Sequence, residues 1–378
     1  MPDLKISPEL ALLIKAALDG KEMPPFTLSR TQIRWDKLAK QAKWHQVRPL
    51  LLEHLQTQPE IDVPKKLTAM LADFAMGQAV TNMAFLGISV KLYNQLIDAD
   101  VRAFLMKGAL WAWLIYEKPT LREFGDIDFF VEQNDISKSL AVLKQNGFMP
   151  DSYRQHLFDQ NELQNAYLDT DYQLPLTPVQ DQTLQSLEVQ WRPSYPRYCY
   201  ELSWADLTAG MINFKLNTSI IQVPRMEVQL LMMVIHHGGI EQWDKLKYMA
   251  DFVRLLRKNG HSLDWNYVRS VGKLRGFENL LSNAVGFAQW LTGENLVSIE
   301  QFNISPFDPT STFCQEILLH WEHERPVLKS KSWRIFLYNM RYRDDWKIKL
   351  SILSGHMAYL TSWKLLFSKF RWYRKNRF

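Results

Sequence analysis

Apolar residues recur at helical spacing along most of this chain, and the pattern changes character once, near residue 100. Residues 8–20 (PELALLIKAALDG) place leucines on one helical face, with Pro8 at the start and Gly20 at the stop. Residues 32–58 read as one or two helices interrupted at Pro49. Residues 65–98 form a long helical pattern through Leu67, Leu71, Phe74, Met83, Leu86, Val90, Tyr93 and Leu96. Then VRAFLMKGALWAWLIY (101–116) begins as a short β-like run, reaches Lys107-Gly108 and continues as a helix. PTLREFGDIDFFV (119–131) reads as a strand, and NDISKSLAVLKQNGF (134–148) as a helix stopped at Gly147. Residues 150–200 look polar, irregular or β-rich, and within them LQSLEVQW (184–191) alternates as a strand does. From about Pro224 helical patterns return. EVQLLMMVIHHGG ends in a glycine pair, and WDKLKYMADFVRLLRKNG puts Leu246, Met249, Phe252, Val253 and Leu256 on one face before Gly260. Further helices are predicted over 264–292 and 311–323. The fold class predicted is α+β: a small mixed sheet at 80–205, with a helical region before it (1–79) and another after it (206–378).

Composition narrows the class without choosing a chemistry. The chain has 378 residues, of which 47% are apolar and 22% charged, enough to bury a large core. Fourteen tryptophans and 14 tyrosines predict aromatic clusters. A net charge of +5 on so long a chain is weak support for an anionic partner. Two cysteines, Cys199 and Cys314, far apart in sequence, argue against a disulfide scaffold or a thiolate zinc site and for a reducing compartment. The N-terminus lacks the form of a signal peptide, and no run approaches the roughly 20 apolar residues that span a bilayer. A cytoplasmic protein is expected.

Two carboxylates interrupt the apolar strand DIDFFV. With a period of two, Asp126 and Asp128 face one side, and Ile127, Phe129 and Val131 the other. Adjacent carboxylates repel and are costly to bury. A divalent cation relieves this, since Mg²⁺ is commonly held by one or two carboxylates plus substrate phosphates. A strand end with two solvated aspartates is the plain alternative. Upstream, Gly108 follows a short apolar run and opens a helix, so phosphate oxygens can approach backbone N–H groups there; an ordinary turn would look the same. Downstream, Glu188 in LEVQW points away from Leu187, Val189 and Trp191 and offers a third carboxylate.

The segment KGALWAWLIYEKPTLREFGDIDFFVEQNDISKSLAVLKQNGF resembles the uncharacterised nucleotidyltransferase family of the DNA polymerase β-like nucleotidyltransferase superfamily. The residues that carry the resemblance are Lys107, Gly108, Tyr116, Arg122, Asp126, Asp128 and Gly147, with a looser match at LEVQW and at His237, Trp243 and Asp251. The resemblance implies that Asp126, Asp128 and Glu188 hold Mg²⁺ or Mn²⁺. It also implies that Gly108 and Ala109 cradle the phosphates of an NTP through backbone N–H groups, and that Lys107 and Arg122 neutralise phosphate charge. An NMP would pass to an acceptor hydroxyl on a small molecule, a protein or an RNA. Two departures keep other classes open. Gly108-Ala109 replaces a glycine pair or Gly-Ser, and Gln190 stands where the family more often has histidine. A catalytically silent binding protein or a D-x-D nucleotide-sugar glycosyltransferase are the alternatives.

Other residues attract attention and have plainer explanations. His236-His237 with Glu241 suggests a metal face, or a helix end whose histidines bond carbonyls or Asp251. His156 would line a pocket or sit in a surface loop, and His320 with Glu324 reads as a solvated helix face. The tail SWKLLFSKFRWYRKNRF mixes aromatic and basic residues. It reads as a docked last helix, as a nucleic-acid contact, or as a segment lying on an anionic membrane.

Overall fold

The structure is a computed structural model. It describes residues 6–19, 33–58, 61–179, 186–216, 218–297, 302, 307–323, 331–361 and 363–375. The predicted stop at Gly20, the start of LQSLEVQW and Glu324 lie outside the described residues. The chain divides into two compact units, each gathered from separated segments. One comprises Met1–Asn82, Trp111–Glu123 and Met226–Tyr342; the other comprises Met83–Leu110, Phe124–Arg225 and Arg343–Phe378.

The first unit is helical. Helix Pro8–Leu18 starts at Ser7, whose hydroxyl accepts from the Leu10 N–H, and it buries nine of its eleven residues. Residues 32–58 contain two helices, Trp35–His45 and Arg48–Gln56. The break is the left-handed residue Gln46, and Pro49 sits in the first turn of the second helix, where its missing N–H is harmless. Met226–Met233 passes into a seven-residue π-helical segment, Val234–Ile240, that carries both histidines and both glycines. Helix Leu246–Asn259 buries the predicted stripe completely: Leu246, Met249, Phe252, Val253 and Leu256 are all at 0% exposure. Helices Trp265–Leu274, Glu278–Thr292, Thr312–Glu322 and Lys331–Tyr342 also belong to it, as does the part of helix Lys65–Asp98 up to Asn82.

The second unit holds a five-stranded mixed sheet: β1 (Ala103–Met106), β2 (Asp126–Val131), β3 (Phe148–Pro150), β4 (Gln173–Pro178) and β5 (Ser186–Gln190). The spatial order is β1-β2-β5-β4-β3. Only β2 and β5 run parallel; the other neighbours are antiparallel. Register aligns one apolar face, with Ile127 opposite Leu187, Phe129 opposite Val189 and Leu105, and Leu176 opposite Leu187. All of these are buried. The α+β fold expected from the sequence is the fold observed.

Two parts of this unit differ from the sequence expectation. Residues 152–170, read as irregular or β-rich, form helices Ser152–Phe158 and Asn161–Thr170. They bury only Leu157, Tyr167 and Leu168, too few apolar positions to print a helical period. Asp151 caps the first, accepting from the Arg154 N–H. A hairpin, β6 (Ile212–Leu216) and β7 (Ser219–Val223), lies in what read as a helical region. The unit ends in helices Trp346–Leu360 and Trp363–Lys375.

Candidate active site

The polar face of the sheet gathers the predicted carboxylates. Asp126 and Asp128 alternate with buried Ile127 and Phe129, and the parallel register sets Asp128 opposite Glu188 and Asp126 opposite Ser186. Residues opposed in register share a face, so Asp126, Asp128 and Glu188 share this one. Asp126 and Glu188 are half-buried, while Asp128 is 2% exposed.

Asp128 is the electrostatic centre. Its Oδ1 faces the Lys107 ammonium at 3.4 Å and accepts from Gln190 Nε2 at 2.8 Å. Gln190 Nε2 also lies 3.2 Å from Glu188 Oε2 and 3.3 Å from Gln173 Oε1. One side-chain amide therefore bridges two of the three carboxylates. Burial pushes the proton affinity of Asp128 well above the usual carboxylate range. Lys107 opposes that shift, and the negative charges of Asp126 and Glu188 add to it.

The turn that precedes this strand in the sheet is tightly made. β1 ends at Met106, paired with Asp128. Lys107 takes a left-handed conformation (φ 44°), and Gly108 is non-helical (φ 14°, ψ −111°) before the helix continues to Ile115. A Cβ at position 108 would lie 2.8 Å from the Asp126 carbonyl oxygen, closer than real Cβ contacts come. Glycine is required here by the close approach of two backbones. Ala109 follows, buried, with no hydroxyl to offer.

This donor set suits a hard divalent cation: carboxylate oxygens on one face, Asp126 partly open to solvent and Asp128 buried beside two like charges. Among the described residues, however, no three His, Cys, Asp or Glu side chains are grouped to hold a metal ion. The carboxylates lie on one open face and do not form a closed cage.

Arg122 goes elsewhere. Its guanidinium forks onto Asp251 in the helical unit, Nε to Oδ1 at 3.0 Å and Nη2 to Oδ2 at 2.9 Å, and it is 4% exposed. The bidentate capacity expected to meet phosphate is spent on a buried carboxylate. Asp251 also accepts from the Tyr116 hydroxyl at 2.8 Å, and His237 Nε2 lies 3.3 Å away. Although burial alone would raise it, the Asp251 carboxyl is held far below the usual range by Arg122 and His237. Burial pushes His237 down to about 4, so its imidazole is neutral near pH 7. Trp243 and Trp111 close on His237 edge-on, at 6.1 and 5.2 Å between ring centres. Thus Tyr116, Arg122, His237, Trp243 and Asp251, scattered over 136 positions of sequence, meet in one buried cluster. The His236–Glu241 metal face is not formed among the described residues. His156 lies on helix Ser152–Phe158, beside Gln160, rather than in a loop.

Gln190 as a partner of two carboxylates, and Gln173 as an acceptor for Gln190, were missed by sequence reasoning. The signal was present: each is the polar member of an alternating strand, Gln190 after Glu188 and Gln173 before Leu174.

A small mixed sheet whose parallel pair sets an Asp-x-Asp opposite a glutamate, beside a glycine turn, defines a nucleotidyltransferase-like core. Comparison with known families agrees: a model of the family described as an uncharacterised nucleotidyltransferase matches residues 31–293, and the chain belongs to that family. No curated protein and no solved structure matches it. No helix among the described residues is long and apolar enough to cross a membrane.

Proposed function

We propose that the chain transfers an NMP from an NTP to an acceptor hydroxyl, in a reaction dependent on Mg²⁺ or Mn²⁺. The observation that carries this is the shared face of Asp126, Asp128 and Glu188, with Asp128 buried against like charge in a member of a nucleotidyltransferase family. Asp126 and Asp128 would hold the cation, with Glu188 beside them. When bound, the cation supplies positive charge to the triphosphate and to the departing pyrophosphate. The glycine turn at 108–109 would lie beside the phosphate oxygens, with Lys107 as a cation at its edge. The acceptor oxygen bonds to the α-phosphorus, the bond from that phosphorus to the bridging oxygen breaks, and pyrophosphate leaves with the electron pair. Glu188, the more exposed carboxylate opposite Asp128, would take the hydroxyl proton. Arg122 has no part in this; it belongs to the buried cluster with Asp251.

A second reading, nucleotide binding without turnover, has its own support. Lys107 and Gln190 already satisfy Asp128 Oδ1, and Ala109 offers no hydroxyl. The nucleotide-sugar glycosyltransferase alternative gains nothing from the family match. Pyrophosphate release from a panel of NTPs, with and without Mg²⁺ or Mn²⁺, separates these readings. Wild type is expected to release pyrophosphate, and Asp126→Asn/Asp128→Asn to lose about a hundredfold or more, the scale at which removed charge stabilisation acts. Equal release by both removes the enzymatic reading. Nucleotide-dependent thermal stabilisation without release favours the silent one.

A further inference from the structure

The last two helices of the sheet unit carry apolar residues on the side that packing does not use. In Trp346–Leu360 the inward face is already filled. Ile352 is fully buried, Gly355 lies so close to Arg197 that a Cβ would sit 3.2 Å from its Cα, and the His356 ring meets Tyr198 at 5.0 Å. At about 100° per residue, Trp346, Leu350, Leu353, Met357 and Leu360 fall within an arc of about 80° on the opposite side. Each is between 44% and 65% exposed. An exposed leucine by itself is ordinary; a contiguous helical stripe of them is not.

Trp363–Lys375 repeats the arrangement. It buries no residue fully. Its inner side rests on Tyr153, whose ring lies 5.5 Å from Trp372 and whose hydroxyl donates to the Leu365 carbonyl at 3.4 Å. Trp363, Leu366, Phe367 and Phe370 are 50–66% exposed on the outer side, with the Trp363 and Phe367 rings stacked at 5.8 Å.

Charge decides what this surface suits. From Trp346 to Lys375 there are seven lysines and arginines and no aspartate or glutamate. A second copy of the chain would bring the same positive charges face to face. An RNA strand uses phosphates and stacked bases, and it would leave Leu350, Leu353, Met357, Leu360 and Leu366 without a partner. A bilayer surface accepts aliphatic side chains and aromatic rings at the acyl boundary and basic side chains at anionic headgroups. We propose that helices Trp346–Leu360 and Trp363–Lys375 form a peripheral docking surface for an anionic phospholipid membrane, one that lies on the bilayer without crossing it.

The test is flotation of the full-length protein with phosphatidylcholine/phosphatidylglycerol vesicles and with phosphatidylcholine vesicles. Light scattering and binding to a labelled single-stranded RNA run in parallel. Wild type is expected to float with the anionic vesicles, less with the neutral ones, and to be released by salt. Leu353→Glu/Met357→Glu, two changes on the exposed stripe, should weaken flotation at least about tenfold while leaving thermal stability unchanged. Lys364→Glu/Arg371→Glu should abolish only the anionic preference. Absence of flotation overturns the proposal, as does flotation unaffected by the two glutamates. So does a wild-type dimer that the same glutamates dissociate, or RNA binding that they abolish while flotation persists.

Discussion

Replacing Asp251 with asparagine isolates the buried cluster of the helical unit. Asparagine matches the shape of aspartate and removes its charge. It also replaces one acceptor oxygen with an amide NH₂, so one of the Tyr116 hydroxyl, Arg122 Nε and Arg122 Nη2 donors would meet another donor. Both charged partners are buried, Asp251 at 0% and Arg122 at 4% exposure, so solvent cannot take over the guanidinium. Leaving one member of a buried pair uncompensated costs about 3–5 kcal/mol. For a domain of a few hundred residues that is a fall in melting temperature of roughly 6–20 °C. The measurement is a thermal melt of the full chain near pH 7.5, followed by near- and far-UV circular dichroism so that separate transitions are seen. The double variant Arg122→Met/Asp251→Leu removes both charges together and should fall short of the sum of its single variants, because the uncompensated charge is gone. An Asp251→Asn protein that melts within about 2 °C of wild type refutes the reasoning, and so does a double variant as unstable as the sum of the singles.

Acid should weaken the same unit before it protonates ordinary carboxylates. His45 accepts the Leu246 N–H at Nδ1 and bonds the Trp321 carbonyl through Nε2, which fixes a neutral tautomer. Burial pushes it, like His237, down to about 4. The unfolded chain takes up these protons near pH 6.5 and the folded chain only near pH 4. Stability is therefore full above about pH 6.5 and lost as pH falls towards 4, by roughly 2 kcal/mol per histidine at pH 5. Denaturant titrations at pH 7.5 and pH 5 check this; equal midpoints would contradict it. Asp128 acts in the opposite sense, because its folded proton affinity is raised: its contribution is present at low pH and lost as pH rises. Asp128→Asn should accordingly blunt any loss of stability of the sheet unit as pH rises above the ordinary carboxylate range. Gly108→Ala should cost about 1–3 kcal/mol by overpacking against the Asp126 carbonyl and reduce turnover with it. Wild-type stability in that variant would contradict the close backbone approach at Gly108.

Much of the candidate site was legible because strand alternation is short-range. D-I-D-F-F-V places its carboxylates on one face without reference to the rest of the chain, and LEVQW does the same for Glu188. The α+β class was legible for a related reason: helical stripes such as Leu246 to Leu256 repeat over about three turns. The partner of Arg122 was not legible, since Asp251 lies 129 residues away and pairing at that range leaves no local pattern. Helices 152–170 escaped because they bury three side chains, and the 212–223 hairpin because five-residue strands hardly interrupt the surrounding helical sequence. The role of Gln190 was hidden by its chemistry. An amide reads as a lost titratable group until its two carboxylate neighbours are seen.

The interleaving of the two units has a consequence for how this protein can be made and cut. The chain passes from one to the other five times, after residues 82, 110, 123, 225 and 342. No single scission releases an intact half, and no contiguous gene fragment encodes one.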